Sequence, residues 1–422
     1  MSFEGWVKTE LGEVYDFSSG LSKNAKEFGF GYPFLSFKTV FNNYFIPQNI
    51  DELANTTERE QEKYSIKKGD VFLTRTSETL DELGMSCVAL KDYPTATFNG
   101  FTKRLRPKVM NVIDEKYAGY YFRSQKFRDS LTSMATISTR ASLNNDILQR
   151  LQITLPPLKE QSEIGNVLYC LDSKIELNNQ INKKLEEMAQ TIFKSWFIDF
   201  EPFQDGEFED SELGRIPKGW RVGRLDEVTS KFTTGLNPRK NFVLGQGDNF
   251  YVTIKNMGDN QVWLDDRCDK VTDEALIKIN KRSDLQKGDL LFSGIGTIGR
   301  VYLLENTPDN WNISESIFTM RPNTLISSEV LYMVLLSNEM QEYAHQLASG
   351  SVQKGIRMAD LKKYKLLIPP KNVIDNITDI LRDIIMQIKS NQYQNKSLSS
   401  IRDTLLPKLM SGEIRVPIEE VR

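Results

Sequence analysis

Beyond residue 157 the apolar side chains recur at steps of three and four, at Ile164, Leu168, Leu171, Ile175, Ile181, Leu185, Met188 and Ile192. The spacing returns at Ile377, Leu381, Ile384, Ile388, Leu398, Ile401 and Leu405. That period predicts two long helices with a coiled-coil seam, over 158–199 and 371–410. Forty residues at a rise of ~1.5 Å make a rod of about 60 Å. Each helix opens behind a proline pair, Pro156–Pro157 and Pro369–Pro370. Proline suits a helix start and breaks an interior. Elsewhere the periods are shorter. "GDVFLTR" (69–75) and "GDLLFSG" (288–294) read as strands between turn residues. A shorter helix is expected in each half, over 114–131 and 328–347.

These patterns come twice. "GWVKTELGEV" (5–14) matches "GWRVGRLDEV" (219–228), with Trp6 and Trp220 standing 214 positions apart. Asp70 and Asp289, in "KKGDVFL" and "QKGDLLF", stand 219 apart, and Pro156 and Pro369 stand 213 apart. "RLRP" (104–107) falls opposite "TMRP" (319–322). Landmarks that keep their order at a nearly constant offset mark an internal duplication. Two units are too few for a solenoid, so the expected architecture is a pseudo-twofold α+β pair. Its segments are a first module (1–157), a long helix (158–199), an acidic, exposed linker (200–217), a second module (218–370), a long helix (371–410) and a tail (411–422).

Both seams are interrupted by asparagine. "LNNQINK" (177–183) lies opposite "SNQYQNK" (390–396), which sets Asn178 against Asn391. Each stands near the middle of its helix, so antiparallel pairing would bring midpoint to midpoint. Two readings stay open, a polar layer that pins the register and a merely wet, exposed stretch.

Composition narrows the class. The 422 residues allow two or more domains, with 39% hydrophobic and 26% charged residues, ordinary for a soluble globular chain. No apolar run approaches the ~18 residues of a membrane span, and "MSFEGWVKTELGEV" has no secretory pattern. Cys87, Cys170 and Cys268 are scattered, which fits reduced thiols in the cytoplasm, with Cys170 expected on the apolar side of the first long helix. A net charge of −3 neither advertises nor forbids a nucleic-acid partner, because phosphate contacts need only a local basic patch.

Catalytic chemistry finds little support. "SGIGTIGR" (293–300) satisfies G-x-G-x-x-G, but a dinucleotide site needs a helix next. Here "VYLLEN" reads as another strand, and Arg300 and Val301 stand where a phosphate loop needs Lys and Ser or Thr. His345 is the only histidine, which nearly closes off His-based triads and zinc sites. No metal site, bound cofactor or catalytic residue is expected. Two modules on a rod suit a binder, and duplex DNA read at two sites of fixed separation is the natural partner. Candidate contacts in the first module are Arg75, Thr76, Ser77, Lys103, Arg104, Arg106, Thr139 and Arg140. In the second they are Ser293, Thr297, Arg300, Asn312, Ser351, Gln353 and Lys354. Arg and Gln suit base edges; Lys, Ser and Thr more often hold phosphates.

"GRIPKGWRVGRLDEV" (214–228), "LPPLKEQSEIGNVL" (155–168), "IFKSWFIDFEPF" (192–203) and "LLPKLMSGEIRVP" (405–417) together resemble the specificity subunits of type I restriction–modification systems. The resemblance covers essentially the whole chain, in the order module, helix, module, helix. It implies two globular target-recognition domains separated by two long helices packed antiparallel. Each domain would read one half of a bipartite, asymmetric DNA target, with the helices as a ruler for the gap. The implied partners are double-stranded DNA, two modification (methyltransferase) subunits and restriction (nuclease and translocase) subunits, in the cytoplasm and away from any membrane. S-adenosylmethionine, ATP and magnesium would sit on those partners, which methylate adenine at N6 and cleave DNA. "GSVQKGI" (350–356) is close to the family's form, which favours Gln353 and Lys354 as DNA-facing. The first module departs from it, with Arg140 where Lys354 falls. The competing readings are a two-module scaffold for proteins, a silent subunit without active partners, and a self-sufficient enzyme that binds S-adenosylmethionine or metal itself.

Overall fold

The computed structural model describes residues 5–77, 82–109, 111–134, 136–137, 141–258, 260–350 and 354–417. The chain divides into two compact units, one of residues 1–178 with 393–422, the other of residues 179–392. The boundary therefore falls inside both long helices, which run Leu158–Phe197 and Lys371–Ser411. Each unit holds one module and a part of each helix, and the helices lie within two residues of the bounds expected from the sequence.

In the first unit a four-stranded antiparallel sheet is ordered Tyr15–Ser19, Thr102–Pro107, Val71–Thr74, Ser86–Val88. A three-stranded sheet is ordered Leu53–Ala54, Phe28–Leu35, Thr97–Phe98, its last pair parallel. Val7–Glu10 pairs with Gln152–Leu155 and closes the module. The second unit repeats the scheme. Thr229–Thr234, Ile317–Pro322, Leu290–Ser293 and Val301–Leu303 form its four-stranded sheet. Asp269–Val271, Asn249–Val252 and Trp311–Ile313 form the three-stranded one, again with a parallel last pair. Arg221–Arg224 pairs with Lys365–Ile368. The duplication read in the sequence is thus a duplication of strand pairing.

The central strands show why "GDVFL" and "GDLLF" recur. Val71, Phe72 and Leu73 are all fully buried. Val71 and Leu73 enter the core shared with the helices, whereas Phe72 faces a second core beside the three-stranded sheet. Leu290 and Phe292 divide from Leu291 in the same way. Alternation with both faces covered reads as a continuous apolar run. Gly69 and Gly288 turn into these strands at φ near 85° and 88°, a region open to glycine.

Several expectations need correction. The helix expected over 114–131 is two, Glu115–Tyr121 and Gln125–Met134, because Ser124 caps the second through the Phe127 N–H. That over 328–347 likewise splits into Ser328–Leu336 and Asn338–Leu347 at Ser337, whose hydroxyl accepts from the Met340 N–H. A serine hydroxyl offered to N–H groups ends one helix and starts another.

The linker 200–217 is largely exposed, as expected, and carries a hairpin of its own. Phe208–Ser211 pairs with Gly214–Pro217, and Phe197, Phe200 and Phe203 pack edge-on around Trp220. Cys170 is exposed, whereas Cys87 and Cys268 are buried. It lies two residues beyond the inward Leu168, about 200° round the helix.

The seam itself also runs differently. Ile181, Met188 and Ile401 are exposed. The strict three–four step from Ile175 passes through Asn178, Asn182, Leu185 and Ala189 instead, and that from Ile388 passes through Asn391, Asn395, Leu398 and Arg402. Asn178, Asn182 and Asn391 are buried. Polar side chains occupy the middle of the packed face, where apolar counting skips them.

Candidate nucleic-acid interface

Each module presents loops where the central strand of its four-stranded sheet ends, and one backbone frame holds them. In the first unit Arg75 N–H donates to the Phe101 carbonyl at 2.9 Å, and Leu143 N–H donates to the Arg75 carbonyl at 3.0 Å. In the second, Gly294 N–H donates to the Ser316 carbonyl at 2.9 Å, and Ile356 N–H to the Gly294 carbonyl at 2.8 Å. Thr76–Ser77 then pairs with Ala141–Ser142, which pairs with Thr136–Ile137. The second unit keeps this as bridges of Ile295 to Gly355 and Gly355 to Ser349.

The frame gathers several expected contact segments. Arg75, Thr76 and Ser77 lie beside the strand pair that flanks Thr139 and Arg140, two residues outside the described ones. Arg75 is partly exposed and approaches the Ser19 hydroxyl at 3.4 Å. Lys354 is exposed, and its carbonyl accepts from Gly296 N–H at 2.8 Å, next to the exposed Thr297. Ser351 and Gln353 lie outside the described residues.

Other expected contacts are spent inside the fold. Arg106 grips the buried Asp70 and the Ser65 carbonyl. Arg104 is buried, donates to the same Ser65 carbonyl at 2.7 Å and lies over the Phe98 ring. Burial, and then Arg106, push its guanidinium pKa down, with Asp70 opposing. Lys103 is buried and donates to Asn145 Oδ1 at 2.7 Å; burial, and then Arg75, lower its pKa. Ser293 is buried and accepts from Arg300 N–H at 2.8 Å. The Arg300 guanidinium donates to the Ile254 and Met257 carbonyls. Asn312 is buried, bonded to Asn280 and to Ser283. A cation whose donors close on carbonyls is a staple before it is a contact. The "SGIGTIGR" loop leads into the strand Val301–Leu303, as a strand connector does.

The asparagines take partners other than those expected. Asn178 Nδ2 donates to Gln394 Oε1 at 2.7 Å and Asn395 Oδ1 at 2.8 Å. Asn391 Nδ2 donates to Asn182 Oδ1 at 2.7 Å. Each partner lies about four positions, one helical turn, beyond the one counted from the repeat offset. The offset aligns equivalent residues of two modules; packing pairs the residues whose seams meet.

Sequence reasoning missed Phe101. It is 62% exposed although its neighbours Phe98 and Leu105 are fully buried. An aromatic among basic residues in "FTKRLRP" was the available signal. Among the described residues no group of three or more His, Cys, Asp or Glu could hold a metal ion, and no helix is long and apolar enough to cross a membrane.

Comparison with known proteins gives this geometry a family. Residues 3–187 and 217–399 each match the model of the type I restriction modification DNA specificity domain. The chain is 27% identical over 416 residues to the type I restriction enzyme MjaIX specificity subunit of Methanocaldococcus jannaschii, covering 96% of this chain and 92% of that one. It is 25% identical over 477 residues to the HindI specificity subunit of Haemophilus influenzae, covering 97% and 99%. A crystal structure of the type I restriction–modification S subunit from M. genitalium shares the fold, with a TM-score of 0.62 over 96% of each chain at 17% identity. With two copies of the domain joined by long helices, the chain belongs to the type I restriction–modification DNA specificity family.

Proposed function

We propose that the chain is the non-catalytic DNA-reading subunit of a type I restriction–modification enzyme. Each module reads one half of a bipartite, asymmetric duplex target, and the two long helices fix the unread gap. One observation carries this reading. The two family domains share one strand frame yet carry different residues on it, Arg75 and the exposed Phe101 in one, the buried Gly294 and the half-buried Ser316 in the other. A common scaffold with divergent loop tips suits two different half-sites.

Partner subunits supply the chemistry in this reading. Modification subunits bind S-adenosylmethionine and methylate adenine; restriction subunits use ATP and magnesium. The helices offer them a surface, because Val167, Leu177, Ile181 and Met188 on the first and Ile380, Met386 and Ile401 on the second are exposed. Large apolar side chains in water at helical spacing support a partner face.

The test is selection from a random duplex pool by the chain co-purified with its modification subunit. Enrichment of two short motifs at a fixed separation supports the proposal. A soluble complex that enriches no motif, and whose partners duplex DNA does not displace, favours a scaffold for proteins.

A further inference from the structure

The shared frame isolates one side chain. Arg75 corresponds to Gly294 and Phe101 to Ser316, since the same backbone hydrogen bonds join each pair. What surrounds the frame differs. In the second unit a Cβ on Gly294 would stand 2.4 Å from the Phe318 ring, which is itself buried, so that corner is filled from inside. In the first unit Lys103 stands at the position of Phe318, and its aromatic neighbour Phe101 is turned out to solvent.

The backbone at Phe101 is also pinned. Its N–H donates to Asn99 Oδ1 at 2.7 Å, and its carbonyl accepts from Arg75 N–H. Thr102 N–H and hydroxyl both donate to the Asn99 carbonyl, at 3.0 and 2.7 Å, and Gly100 N–H donates to the Leu21 carbonyl at 2.8 Å. The turn therefore pins the backbone beneath a phenyl ring that is left largely in solvent. Leaving such a ring in water forgoes about 1.5–3 kcal/mol of burial. An exposed apolar ring on a pinned backbone suits an A·T pair in the major groove, where thymine alone offers a methyl group.

We infer that Phe101 is a base-reading residue of the first module and contacts a thymine 5-methyl group of the target. This rests on the DNA-reading function proposed above. The test compares methylomes directed by the full chain, co-expressed with its modification subunit, carrying Phe101, Phe101→Ser or Phe101→Leu. Phe101→Ser should relax one A·T position of one half-site, with methylation at sites substituted there rising on the order of tenfold relative to matched sites. The other half-site should be unchanged, and Phe101→Leu, which keeps an apolar contact, should stay close to the parent.

An identical motif in all three would overturn the inference. So would an identical motif with loss of the co-purifying modification subunit, which would make Phe101 a protein contact. Equal loss at every site in both variants, with melting temperature retained, would also overturn it. Should the parent chain direct no bipartite methylation, the DNA-reading function fails first and this inference falls with it.

Discussion

Arg106 clasps Asp70 through Nε to Oδ1 at 2.8 Å and Nη2 to Oδ2 at 2.6 Å, around a carboxylate with no solvent exposure. Asp70 also accepts from the Lys67 N–H at 2.8 Å, closing the turn ahead of the central strand. The second unit repeats this with Arg321 on Asp289, and Asp289 accepting from the Gln286 N–H at 2.9 Å. The "GD" and "RP" landmarks of the repeat are thus two ends of one clasp.

Removing one end leaves a buried, unpaired carboxylate. For Arg106→Ala the cost should be about 2–3 kcal/mol, below the range for wholly buried pairs because Arg106 is a quarter exposed. The first unfolding transition should fall by on the order of 5–10 °C by scanning calorimetry. Arg75→Ala, on the loop beyond the same strand, should shift it by less than about 2 °C and act instead on recognition.

This contrast shows what the sequence could and could not reveal. Duplication, strand cores and long helices were legible because burial imposes periods on the sequence. The candidate contact residues were legible only as a set of loops. Arg106, Arg104, Lys103 and Asn312 look like DNA contacts by residue type, and only the paired carboxylate, carbonyl or amide shows that they are spent internally. Asn182 and Asn395 lie in the polar stretches that interrupt the seams, but an apolar count cannot show which asparagines of those stretches face the partner helix.

The asparagine pair of the second unit gives a separable prediction. Asn182→Leu alone should cost about 1–2 kcal/mol, because it strands the buried Asn391 amide. Asn182→Leu with Asn391→Leu should recover most of that, with a coupling of about 1 kcal/mol or more in a denaturation double-mutant cycle. Additive losses would mean that the pair does not act as a polar layer.

Lengthening the helices tests the ruler. One heptad inserted after Asn178 and one after Gln392 adds about 10 Å to each helix. The accepted gap should widen, by at most about three base pairs at 3.4 Å each, with both half-sites kept. An unchanged gap would sink the idea.

The thiols report on docking. Burial pushes Cys87 up to about 12 and raises Cys268, so both stay protonated as well as covered at pH 8. Iodoacetamide should label only Cys170 in the folded chain, read by peptide mass spectrometry. Bound modification subunit should protect Cys170, which shares its helix with the exposed Val167 and Leu177. Labelling as fast in the complex as in the free chain would place the partner elsewhere.

The sign of the alkaline response follows from the tyrosines. Burial raises Tyr121 and Tyr93 to about 12, above their ordinary value of 10. Their contribution is complete below pH 10 and is lost as pH climbs toward 12. Phenolate absorbance should therefore rise in two phases on titration, the later one coinciding with unfolding.

The most direct measurement is a map of N6-methyladenine by single-molecule sequencing in a methylation-free host, with the modification subunit expressed with and without this chain. The account predicts a bipartite motif of fixed gap that appears only when the chain is present. Methylation identical in both strains, or none from a soluble complex, would contradict it.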